Sequence, residues 1–164
     1  MNSQEITQAC LNDEYTKQYF RGCFALNRLP KHLTPGGIWI LNLDEDHLEG
    51  SHWCACSTIS PLSTCYFDSF ARKPPDAILE SLFSHSKRVY YSDVPLQHVL
   101  TQTCGQYTIY VASLWSRGHS MLDILLQHFY DASETFKNDV LVDHVISSHF
   151  NAKKRSILIP EINK

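Results

Sequence analysis

The sequence predicts an α+β fold, a central β-sheet, mostly antiparallel or mixed, with helices before and after it. Three observations carry this. Short apolar or alternating runs cluster between residues 38 and 92, each bounded by glycine, proline or acidic residues. Segments with helical spacing flank that cluster on both sides. No internal repeat, low-complexity tract or linker divides the 164 residues, so residues 1–164 read as one domain, long enough for a core.

Residues 3–20 read as one or two short helices, with Ile6, Ala9 and Cys10, then Tyr15, Tyr19 and Phe20, at helical spacing. Gly22, Pro30, Pro35, Gly36 and Gly37 interrupt the pattern, so residues 21–36 are expected to be mostly loop. Ile38 to Leu43 is an apolar run ahead of Asp44-Glu45-Asp46 and reads as a buried strand. His52 to Ile59 alternates as a second strand, with 52, 54 and 56 on one face. Ser60-Pro61-Leu62-Ser63 makes a turn, and Thr64 to Phe70 returns as the other half of a hairpin. Pro74-Pro75 opens a helix to about Ser84, striped by Ile78, Leu79, Leu82 and Phe83. Arg88 to Ser92 is a fourth strand, and residues 104–117 form a helix that Gly118 ends. Two more helices follow. Met121 to Tyr130 carries Leu122, Leu125, Leu126 and Phe129 on one side. Glu134 to Phe150 carries Phe136, Val140, Leu141, Val145 and Phe150, and the charged end around Pro160 is expected to fray.

Composition excludes several classes. A 43% hydrophobic and 12% aromatic chain is an ordered globule, not a disordered tail. A net charge of −3 is not that of a dedicated nucleic-acid binder, and Lys153, Lys154 and Arg155 read as a solvated chain end. No apolar run approaches the ~20 residues that span a bilayer. Met1 to Glu5 is polar and is not a secretory signal. The six cysteines are therefore expected to be reduced thiols, in cytosol or nucleus and not secreted.

The chemistry centres on Gln102-Thr103-Cys104-Gly105-Gln106 and the apolar run to Trp115. A cysteine opening a helix meets unpaired backbone N–H groups and a partial positive charge, which favour a thiolate. The N–H groups of Cys104 and Gly105 could also hold an oxyanion. Such a sulfur needs a histidine as base and a third group to fix the imidazole. The hairpin offers both. With its turn near residues 60 and 61, His52 and Asp68 are expected to lie nearly opposite each other on one face. Cys54, Cys56, Cys65 and His52 could suggest zinc, but one residue between cysteines departs from structural zinc spacing, so no metal is expected.

Gly50-Ser51-His52-Trp53, Thr64-Cys65-Tyr66-Phe67-Asp68-Ser69-Phe70 and Cys104-Gly105, in that order, resemble the motifs of the adenovirus-type (adenain-like) cysteine endopeptidases, within the superfamily of the SUMO-specific proteases. Tyr19-Phe20-Arg21-Gly22 resembles that family's N-terminal segment, and the resemblance covers residues 19–128. It implies a papain-superfamily-like fold with the nucleophile at the start of a central helix, and a role for Trp53 in supporting the imidazole. It also implies an oxyanion glutamine seven residues before the nucleophile, which selects Gln97 over Gln102. The implied function is a viral endopeptidase that cleaves structural precursor proteins at glycine-containing sites in the host nucleus, the cytosol and the virion. The alternative is a protease that removes a ubiquitin-like modifier; a catalytically inert module on the same fold is a third reading.

The departures shape the expectation. Asp68 stands where adenoviral enzymes carry glutamate, and residues 84–93 lack the cysteine through which those enzymes take a disulfide-linked viral peptide activator. The acidic balance argues for weak or no DNA binding. No cofactor is expected to be required, and a peptide or DNA activator finds no support in the sequence. With its C-terminal part shorter than the family's, the chain fits another large-DNA virus or a virus-like transposon better than an adenovirus.

Overall fold

A computed structural model of the chain describes residues 1–150. Five strands form one mixed sheet in sequence order: β1 (Phe20–Ala25), β2 (Ile38–Asn42), β3 (Trp53–Ser57), β4 (Thr64–Phe67) and β5 (Val89–Tyr91). The inner pairs β2/β3 and β3/β4 are antiparallel, and the outer pairs β1/β2 and β4/β5 are parallel. The helices are α1 (Ser3–Asn12), α2 (Thr16–Tyr19), α3 (Asp76–His85), α4 (Cys104–Ser116), α5 (Met121–Gln127) and α6 (Thr135–His149).

Alternation along the strands splits the core into two layers. Ile38, Ile40, Ala55 and Phe67 face α1, α4 and α6, with Ile6, Tyr107, Ile109, Val111 and Ile146. Trp39, Leu41, Cys54, Cys56 and Tyr66 face α3, with Ile78 and Leu82. Helix α4 is buried at every position but Tyr110, which makes it the central helix. Among the described residues, no helix is long and apolar enough to cross a membrane.

Three expectations change. Residues 21–36 are not mostly loop: Phe20–Ala25 is an edge strand pairing in parallel with β2. Gly22, at φ +128°, takes up a register shift between Phe20 and Gly22, so the residue that reads as a breaker marks a bulge. In α5 the buried residue is Ile124, while Leu122 and Leu126 are exposed. In α6 the buried positions are Asn138, Asp139, Val142, Asp143 and Ile146, and Val140 is exposed. In both helices the strongest apolar stripe of the sequence is not the face that is buried. Lys153, Lys154, Arg155 and Pro160 lie outside the described residues.

Candidate active site

The site forms where β3 begins, β4 ends and α4 starts. Antiparallel pairing puts the first two at one end of the sheet. His52 directly precedes β3, and its carbonyl accepts the Leu43 N–H at 2.9 Å, which ties it to β2. The loop before it turns at Gly50, φ +88°, where a Cβ would lie 2.5 Å from Asn42 Nδ2. Only glycine fits there.

Asp68 directly follows β4. The Asp68 carbonyl accepts the Ala71 N–H at 2.9 Å, closing a turn. Ala71, at φ 60°, is the one non-glycine residue with positive φ among those described. Local strain of this kind is held in place by surrounding contacts. The turn brings Phe70 over the imidazole, ring centroids 5.0 Å apart and stacked.

His52 and Asp68 are joined, Nε2 to Oδ1, at 2.9 Å, and both are buried. They are not opposite each other in the ladder. The observed pairs are Ala55 with Phe67, Cys56 with Tyr66 and Ser57 with Cys65. Continued outward, that register sets residue 54 against 68 and residue 52 against 70. Both implied pairs touch: the Cys54 thiol donates to Asp68 Oδ2 at 3.3 Å, and Phe70 stacks on His52. The His–Asp bond runs diagonally across the hairpin end. The face is as expected because the even separation of 52 and 68 preserves parity. The partner is offset by two residues because the ladder is centred on residue 61, whereas 52 and 68 are centred on residue 60.

Asp68 accepts two more hydrogen bonds, from Cys54 and from the Phe70 N–H at 2.7 Å. With Nε2 taken by Asp68, the other imidazole nitrogen faces Cys104. Burial works against a charged imidazole, but hydrogen bonds to Asp68 and Cys104 and their negative charge overcome it, and the His52 pKa rises to about 9. Burial likewise opposes a Cys104 thiolate. Hydrogen bonds to the sulfur from His52 and from the backbone N–H groups of Trp53 and Gly105 outweigh that, and the thiol falls below its ordinary 9.0. Each group thus favours the charged form of the other.

Gln97 reaches the site by another route. The Ser69 carbonyl accepts the N–H groups of Leu96 at 2.9 Å and Gln97 at 3.0 Å, pinning this loop to the Asp68 turn. The Ser69 hydroxyl donates to Gln97 Oε1 at 2.6 Å, and Gln97 Nε2 donates to the Thr101 carbonyl at 3.0 Å. The same amide nitrogen also reaches the Thr101 hydroxyl oxygen at 3.4 Å, so its hydrogen bonds both run to Thr101. No hydrogen bond joins Gln97 to Cys104 among the described residues. Gln97 is buried and Gln102 exposed.

Trp53 differs from its expected role. The ring on His52 is Phe70, while the Trp53 indole N–H donates to the Met1 carbonyl at 3.0 Å. What Trp53 gives the site is its backbone N–H. Sequence reading also missed Cys54 and Phe70, although the alternation of the hairpin carries both.

The zinc quartet is split, since Cys54 and Cys56 face α3 while Cys65 packs on the other layer. Donor atoms of His52, Cys54 and Asp68 do lie within 4.8 Å of one another. A cation could bridge them only by displacing the hydrogen bonds that now join them.

No protein-family model and no curated protein matches the chain. Among solved structures, a crystal structure of the ASFV pS273R protease is similar at TM-score 0.43 with 19% identity over 64% of this chain. This chain spans 43% of the length of that one. At that score the likeness carries no argument, and the functional reading rests on the site's own geometry.

Proposed function

We propose that this chain is a cysteine endopeptidase of viral type. What supports the reading above all is the line Cys104–His52–Asp68: a thiol lowered despite burial, an imidazole raised to about 9, and a carboxylate on its far nitrogen at 2.9 Å.

The Cys104 thiolate attacks the scissile carbonyl carbon, forming a C–S bond while the carbonyl electrons move to oxygen. The Gln97 amide, exchanging its longer contact with the Thr101 hydroxyl, and the first-turn N–H groups of Cys104 and Gly105 hold that oxyanion. The His52 imidazolium gives its proton to the amine as the C–N bond breaks. A water, deprotonated by the now neutral His52, then hydrolyses the thioester and returns the thiolate. Asp68 keeps one tautomer and orientation throughout. No cofactor enters these steps. The substrates proposed are viral precursor proteins cut at glycine-containing sites, in the host cell and the virion.

The test is incubation of wild type and Cys104→Ala with candidate precursors and with probes ending in a ubiquitin-like modifier C-terminus. Precursor cleavage by wild type alone is the expected result. Equal cleavage by Cys104→Ala would end the proposal, and reaction with modifier probes alone would redirect it to deconjugation.

A further inference from the structure

The loop between β5 and α4 carries both Gln97 and the start of the nucleophile helix, and it is held by one residue of α6. Asp139 is fully buried. Its Oδ2 accepts the His98 N–H at 3.1 Å and faces the Thr101 hydroxyl at 3.0 Å. Its Oδ1 accepts the Thr103 hydroxyl at 2.9 Å and faces the Tyr107 hydroxyl at 3.0 Å. Thr101 is the residue whose carbonyl takes the Gln97 amide. A single carboxylate thus reaches both donor sets assigned to the oxyanion.

Thr103 adds a second observation. It is the N-cap of α4, where a threonine hydroxyl normally bonds an N–H of the first turn. Here it makes no such bond, because it points to Asp139. The cap is withheld, and the first-turn N–H groups keep their donors for another acceptor.

Resting on the endopeptidase reading, we propose that Asp139 is a positioning residue for the oxyanion site: it orients Gln97 through Thr101 and draws the Thr103 hydroxyl away from the helix N-terminus. It touches no reacting atom. Its removal lets the loop relax and frees Thr103 to cap α4, which fills the donors the oxyanion needs. A misplacement of about 1 Å in such a site costs roughly 100-fold in rate.

The experiment compares Asp139→Asn, Thr103→Val and Thr103→Ser in the full chain. One readout is turnover of a fluorogenic glycine-containing peptide amide. The other is alkylation of Cys104 by iodoacetamide, which needs the thiolate but no oxyanion site. Expected is a kcat loss of about 10- to 100-fold for Asp139→Asn, with KM within about twofold and alkylation rates close to wild type, and a smaller loss for Thr103→Val, whose side chain cannot cap α4. Thr103→Ser, which keeps the hydroxyl, stays close to wild type, and adding Thr103→Val to Asp139→Asn restores part of the lost kcat, because no hydroxyl is left to cap the helix. An Asp139→Asn variant that keeps kcat, that loses turnover and alkylation in parallel, or that Thr103→Val does not partly rescue overturns the inference while leaving the protease reading intact. A wild type that is alkylated yet hydrolyses no peptide overturns the protease reading, and this inference with it.

Discussion

Two buried cysteines flank the same His–Asp pair, and their thiols move in opposite directions. Cys104 is lowered, although burial alone would raise it. Cys54 is raised well above 9.0 by burial first and by the Asp68 charge second. Burial is shared, so the difference lies in the neighbours. Cys104 meets an imidazole and two backbone N–H groups, all donors to a thiolate. Cys54 meets a carboxylate, to which it can only donate. One hairpin end thus favours the thiolate of one sulfur and keeps the other as a hydrogen-bond donor.

The contrast can be broken at several points. Cys104→Ala is expected to remove turnover, a loss of about 10⁵-fold or more, measured on a glycine-containing peptide amide. Asp68→Asn keeps the shape but loses the charge that holds the tautomer, and kcat is expected to fall by about 10³- to 10⁴-fold. Gln97→Ala removes an oxyanion donor and is expected to cost about 10²- to 10³-fold in kcat with little change in KM.

The pH dependence sharpens the comparison further. Iodoacetamide is expected to label Cys104 well below the ordinary thiol range, while Cys54 stays unlabelled until the chain unfolds; mass spectrometry of the labelled peptides checks this. His52 is raised from 6.5 to about 9 in the fold, so its charge contributes stability that is whole below 6.5. That contribution is lost as pH rises through about 9, and thermal unfolding should show a drop over this window that His52→Gln lacks. The smallest effect is expected at Cys54. Cys54→Ser keeps a donor to Asp68 and should stay within about threefold of wild-type kcat, whereas Cys54→Val should lose about 3- to 10-fold, at the scale of one hydrogen bond.

Much of this was legible in the chain because it depends on local rules. A strand repeats every two residues, so a hairpin centred on a residue near 60 or 61 puts His52 and Asp68, an even separation apart, on one face. The apolar run after Cys104-Gly105, closed by Gly118, specifies a buried helix with the sulfur at its start. The layers that bury Trp39 and Trp115 follow from the same periodicities. Strand β1 escaped because it is short, half-buried, bulged at Gly22 and paired only with a strand far along the chain. Leu122, Leu126 and Val140 are exposed, because the buried face of a helix is chosen by the neighbours it meets and not by its hydropathy alone.

Tertiary structure alone decided the rest of the site. The hairpin offset placed Phe70 and Cys54, and not Trp53, beside the His–Asp pair. No periodicity or motif joins Asp139 to residues 98–107, because α6 meets that loop only once the chain has packed. Period and parity are properties of neighbouring residues and can be read from their order. Which buried carboxylate meets which hydroxyl is set by how elements stack across the core, and that is fixed only by the whole fold.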